Sequence, residues 1–145
     1  MRPTDLIAAF APRFDASGID WMIAGGVAAI VYGEPRLTQD LDIVASLSAD
    51  DADRFVRQFP EQEYYCAPAE AIAEEASREA FGHFNVMHFE TGARADVYLA
   101  GKDALAQRGL AARRTVQLLG RAVPVAPPEH VILHKLWVRQ QEASD

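Results

Sequence analysis

Two stretches, Trp21-Met22-Ile23-Ala24-Gly25-Gly26 and Asp40-Leu41-Asp42-Ile43-Val44, decide how the chain is read. Trp21 to Ala24 is a short apolar run stopped by two glycines, the pattern of a buried strand. Val27 to Tyr32 then reads as a short helix, closed by Gly33 and the Glu34-Pro35 break. Leu41 to Val44 returns to strand. Side chains alternate between the two faces of a strand, so Asp40 and Asp42 leave one face while Leu41 and Ile43 enter the other. Two carboxylates held this close repel each other and call for a cation or for raised pKa values. Mg²⁺, a hard ion that takes oxygen ligands, suits such a pair. The glycines between strand and helix let the backbone approach a ligand and turn N–H groups towards an anion such as phosphate. Singly, Asp-x-Asp is as readily an exposed acidic strand end and Gly-Gly a tight turn. Their order, phosphate turn first and acidic pair after it, is what points to chemistry.

A third acid lies further along, in Arg94-Ala95-Asp96-Val97-Tyr98-Leu99. An unpaired carboxylate in an otherwise apolar strand is costly. If this strand lies beside the Asp40/Asp42 strand, three carboxylates converge, enough to hold two Mg²⁺ ions about 4 Å apart in the clamp used for in-line displacement at phosphorus. Alternatively Asp96 simply pairs with Arg94 or another arginine.

Around this centre the pattern predicts helices from Thr4 to about Ser17, with Gly18 as the stop, and from Ser48 to about Phe59, stopped by Pro60. Pro68 fits the first turn of a helix reaching about Ala80. Residues 84–89 and 95–99, joined through Thr91-Gly92, read as a hairpin, and 116–119 with 123–125 around Gly120 as a second one. A helix covers 103–113, and a last one follows Pro127-Pro128, from about Glu129 to Gln141. Irregular alternation with hairpins predicts an α+β, layered architecture, a mixed β-sheet with helices packed on it. At 145 residues, without repeats or linkers, residues 1–145 read as a single domain.

Half the residues are hydrophobic and the net charge is −7, which disfavours a protein living by non-specific attraction to nucleic acid. No apolar run approaches the roughly 20 residues that span a bilayer, so no membrane partner is expected. The opening segment, broken by Asp5, Pro12 and Arg13, does not read as a signal peptide, and a cytoplasmic protein is expected. The single cysteine, Cys66, excludes an internal disulfide and reads as a small core residue. Acidic residues gather between Glu61 and Glu79, and basic ones between Lys102 and Arg121. This is either a local basic surface or two solvated helix faces of opposite sign.

The run Ala24-Gly25-Gly26-Val27-Ala28, then Tyr32-Gly33-Glu34-Pro35-Arg36-Leu37-Thr38-Gln39-Asp40-Leu41-Asp42-Ile43-Val44, resembles the opening of the DNA polymerase β-type nucleotidyltransferases. More narrowly it is similar to small bacterial proteins related to the abortive-infection type IV toxin nucleotidyltransferases. The closing segment from Val123 to Leu136, with Pro128-Glu129 and Lys135-Leu136, also resembles that family's Pro-Glu followed by an apolar helix carrying Lys-Leu. The resemblance implies a nucleotidyltransferase fold. It implies that Asp40, Asp42 and Asp96 hold Mg²⁺ or Mn²⁺, two ions together, with Asp96 also helping to activate an attacking hydroxyl. Gly25 and Gly26 would cradle the phosphates of a nucleoside triphosphate. The reaction implied is transfer of a nucleoside monophosphate to an acceptor oxygen with release of pyrophosphate.

Arg36, Thr38 and Lys135 are weaker nucleotide-binding candidates on the same resemblance. Thr38 could orient a carboxylate or phosphate; Arg36 could meet phosphate or pair with Glu34; Lys135 could reach a triphosphate or snorkel from its helix. His130 and His134, four apart, lack a third ligand and read as surface or capping residues; His83 and His88 are uncommitted. Relatives usually continue with further helices after the lysine helix, so a C-terminal helical extension is expected to be lacking here. Three readings follow: an enzyme acting on RNA such as tRNA, a protein or a small molecule; a nucleotide-binding component of a toxin–antitoxin or phage-defence pair that acts through its cognate partner; and an inactive domain that keeps the fold.

Overall fold

The computed structural model describes residues 2–25, 27–28, 40–79, 82–118 and 120–131. Helix α1 (Pro3–Ser17) leads to strand β1 (Asp20–Ala24), and β2 (Asp40–Ser46) follows. A 3₁₀ turn (Ala49–Asp51) opens α2 (Ala52–Val56), then β3 (Tyr64–Cys66) and α3 (Ala69–Ala76). The hairpin β4 (His83–His88) and β5 (Arg94–Leu99), helix α4 (Ala104–Ala111) and the hairpin β6 (Arg114–Leu118) and β7 (Arg121–Val125) complete the order. The strands form one mixed sheet in the order β3-β4-β5-β2-β1-β7-β6. β2 lies parallel to β5 and β1 parallel to β7, and the other neighbours are antiparallel. This is the expected α+β class.

Register partners share a face of the sheet. On one face Ile43 stands between Ile23 and Val97, and Val97 opposite Phe84, all buried. Helices α1 and α2 cover this face through a run of aromatic contacts. Phe14 lies 5.4 Å from Trp21, 5.3 Å from Phe55 and 5.7 Å from Phe59, centroid to centroid, and Phe55 lies 5.4 Å from Phe84. Such pairs add about 0.5–1.5 kcal/mol each beyond their buried area. Tyr64 closes the cluster at one edge, its hydroxyl donating to the Ala9 carbonyl at 2.6 Å. Pro12 removes a backbone donor inside α1, but it sits on the exposed side, where the core packing of Phe10 and Phe14 is undisturbed.

Boundaries depart from the sequence pattern where local hydrogen bonds compete. The helix expected from Ser48 to Phe59 is a 3₁₀ turn and one short α-segment. Gln58 and Phe59 donate to Phe55 and Val56, the tighter i→i+3 pattern that ends helices. The helix after Pro68 ends at Ala76 rather than Ala80, because the Ser77 hydroxyl turns back to the Ala73 carbonyl at 2.9 Å. β3 carries no sequence signal of its own: three residues are too few to show alternation. The helix expected from Val27 is described only at Val27 and Ala28, and the last helix only over 128–131. No helix among the described residues is long and apolar enough to cross a membrane.

Candidate active site

The second face of the sheet carries the acids. In β2 exposure alternates as expected: Asp40 is exposed and Asp42 half-buried, while Leu41 and Ile43 are buried. The parallel pairing of β2 with β5 sets Asp42 directly opposite Asp96 and Asp40 opposite Arg94. Since residues 94 and 96 share a face of β5, the four side chains form a square on two central strands. Asp96 is 8% exposed, buried for a carboxylate. The two sequence readings of Asp96 therefore hold together: it stands beside the Asp-x-Asp strand, and it pairs with Arg94.

Arg94 ties the square together. Its Nη2 donates to Asp40 Oδ2 at 3.1 Å, and its Nε lies 3.1 Å from Asp96 Oδ1. The second contact is one of charge: Nε is buried and makes no hydrogen bond of good geometry. On the far side of Asp96, His83 Nε2 approaches the same oxygen at 3.9 Å, and Asn85 is the register partner of Asp96 from β4. The His83 ring also lies against Tyr98, centroids 4.9 Å apart. Sequence reasoning left His83 uncommitted and did not name Asn85. Both could have been found by counting the hairpin register outward from Thr91-Gly92.

Gly25 has a reason for being glycine beyond the turn. It adopts φ +63°, and a side chain there would occupy the position of Asp42 Oδ2, with Asp42 Cβ and Cγ only 2.8 Å from the added carbon. Ala24 is the register partner of Asp42, so the end of β1 and the acid of β2 are packed together. Of the remaining candidates, Gly26, Arg36, Thr38 and Lys135 lie outside the described residues.

Further along the same face, past Val44 and Tyr98, lies a concavity walled by α4 and His130. His130 corrects its sequence reading: it is buried, not on the surface. Its ring packs on Gly109 of α4, where an added Cβ would come 2.5 Å from Nδ1. Burial pushes its pKa down, against a smaller upward pull from Asp103 and Glu129. His134 lies outside the described residues. His88 lies against Tyr64 on the helix-covered side, its Nδ1 2.8 Å from the Thr91 hydroxyl. Cys66 is half-buried, and desolvation pushes its thiol up to about 12. The basic residues near the C-terminal hairpin engage separate acids, Arg113 with Asp20 at 3.4 Å and Arg121 with Asp15 at 3.7 Å.

The donor chemistry fits a hard divalent cation: three carboxylates on one face, two of them already gathered by the charge of Arg94. Their present arrangement is closed around that guanidinium. Among the described residues no group of three or more His, Cys, Asp or Glu side chains is poised around one metal position.

No protein-family model matches the sequence, and no curated protein matches it. Solved structures do. Over 99% of its length the chain is similar to a candidate nucleotidyltransferase from Thermotoga maritima, covering 91% of that chain with a TM-score of 0.63 at 15% identity. Over 96% of its length it is similar to an antigenic nucleotidyltransferase-like protein from Paracoccidioides brasiliensis, covering 66% of that chain with a TM-score of 0.56 at 20% identity. The mixed seven-stranded sheet with its packed helices is a nucleotidyltransferase-like fold.

Proposed function

We propose that the chain transfers a nucleoside monophosphate from a nucleoside triphosphate to an acceptor hydroxyl, using Asp40, Asp42 and Asp96 to hold Mg²⁺ or Mn²⁺. The observation that carries the reading is the parallel register of Asp42 with Asp96, which meets the condition on which the three carboxylates share one face. When bound, the cations supply charge neutralisation on the triphosphate and lower the pKa of the attacking hydroxyl. The acceptor oxygen attacks the α-phosphorus, the bond from that phosphorus to the bridging oxygen breaks, and pyrophosphate leaves. Asp96, buried on one side and flanked by Arg94 and His83, is placed to take the hydroxyl proton or to orient the oxygen that loses it. Gly25, with Gly26, would admit the phosphates close to the backbone, and Lys135, Arg36 and Thr38 would add contacts to them. The acceptor stays open among tRNA, a protein and a small molecule, and the narrower likeness to the type IV toxin proteins adds an expectation of a cognate partner protein.

The test is incubation of the full chain with each α-labelled nucleoside triphosphate, Mg²⁺ or Mn²⁺, and tRNA, protein and aminoglycoside acceptors. Label should move to one acceptor class, EDTA should stop it, and Asp42→Asn or Asp96→Asn should lower the rate by roughly 1000-fold or more. Absence of transfer to every acceptor with either metal would overturn the enzyme reading.

A further inference from the structure

We propose that Arg94 is a resident cation that holds the acidic cluster closed until a divalent ion displaces it, so that the Arg94 bridge and metal binding compete. The proposal rests on the metal-dependent reading above and assigns a residue that the sequence pattern left as a mere partner of Asp96.

Three observations converge on it. First, one guanidinium reaches acids on two strands, Asp40 at 3.1 Å across the register and Asp96 at 3.1 Å along its own strand. These are two of the three carboxylates offered to a metal, and the guanidinium takes one oxygen of each, Asp40 Oδ2 and Asp96 Oδ1, for which a divalent ion must compete. Second, the two halves of the bridge are unequal. The contact with Asp40 is a directed hydrogen bond, whereas Nε faces Asp96 without hydrogen-bond geometry. The Asp96 half lacks that directed bond and is held by charge alone, so a divalent ion competes with it on charge. Third, the way out is open: Arg94 and Asp40 side chains are 40% and 49% exposed, so the guanidinium can swing to solvent while Asp96, at 11%, stays in place. A guanidinium left near the site would still repel a divalent ion, which weakens metal affinity in the absence of nucleotide.

The experiment measures Mn²⁺ dissociation constants of the full chain by titration calorimetry without nucleotide, for wild type, Arg94→Gln and Arg94→Lys. Removing the charge should tighten Mn²⁺ binding by roughly tenfold. Lysine keeps the charge but as a single point that cannot span both acids, so it should fall between the two. Arg94→Lys also keeps the proposal testable should Arg94→Gln fail to fold, which circular dichroism will show. Mn²⁺ affinities equal to or weaker than wild type in the folded variants overturn the proposal and leave the metal site standing. No Mn²⁺ binding at millimolar concentration in any of the three chains overturns the metal reading itself, and the proposal with it.

Discussion

Gly25 and Asp42 compete for one volume: the carboxylate of Asp42 sits where any side chain at residue 25 would begin. The glycine also takes a left-handed φ of +63°. Gly25→Ala therefore meets two penalties, a strained backbone of about 1–2 kcal/mol and an overlap of about 1–3 kcal/mol. Urea unfolding should show a loss of about 2–5 kcal/mol, and Mn²⁺ affinity should fall with it, since the overlap is relieved only by moving Asp42. An alanine variant with wild-type stability and metal affinity would show that the contact does not constrain the acid.

At Gly109 the ordinary expectation is reversed. Alanine in a helix interior normally gains about 1 kcal/mol over glycine. Here the new methyl would meet the buried His130 ring at 2.5–2.9 Å. Gly109→Ala should lose about 1–3 kcal/mol in thermal or urea unfolding, and Gly109→Ala/His130→Ala should recover part of that loss by opening room for the methyl.

His130 should make the fold sensitive to mild acid. Burial holds its pKa below 6.5, with Asp103 and Glu129 opposing weakly. The neutral imidazole is thus the form the fold prefers. Its contribution is complete above pH 6.5 and is lost as pH falls through the depressed value in the folded state. Unfolding free energies measured from pH 7.5 to 5 should fall more steeply for wild type than for His130→Phe. Parallel pH profiles would count against this.

The Ser48–Asp51 turn predicts a separate acid sensitivity. Asp51 accepts from the Ser48 backbone N–H at 2.9 Å and from its hydroxyl at 3.0 Å, and Arg54 lies 3.0 Å away. The Ser48 backbone bond is the chief cause of a lowered Asp51 pKa. The stabilisation is present above pH 3.8 and disappears as pH drops through the depressed value. Asp51→Ala should cost about 1 kcal/mol at pH 7 and less at pH 3.

Cys66 should be a poor nucleophile in the folded chain. With the thiol pushed from 9.0 to about 12, thiolate at pH 8 is depleted by roughly 1000-fold relative to the unfolded chain. Alkylation by iodoacetamide should be slow in buffer and rapid in denaturant. The same raised value means that stability is full below pH 9.0 and declines towards pH 12.

What the sequence disclosed followed the range of each interaction. The faces of Asp40 and Asp42 were legible because strand alternation is local. Both hairpins were legible because Gly92 and Gly120, each with positive φ, mark their turns. The adjacency of Asp42 and Asp96 could be stated only conditionally, since it depends on which strands pair across a long stretch of chain. The Arg94–Asp40 bond, between residues 54 positions apart, follows from that same pairing and had no signal of its own. The burial of His130 was hidden for a related reason, since it needs a glycine in α4 to face it. β3 went unseen because Tyr64-Tyr65-Cys66 acquires its extended form from pairing with β4.

The order of strands has a kinetic meaning as well. β2 and β5, which bear the acids, are flanked on both sides, while β3 and β6 form the edges. Edge strands fray at small free-energy cost, whereas central ones open only with most of the molecule. Amide hydrogens of Asp42 and Asp96 should then exchange with solvent at the rate set by global unfolding, far more slowly than those of Tyr65 or Gln117. The acids are anchored in the slowest-opening part of the protein, which confines any rapid rearrangement in the square to side-chain torsions.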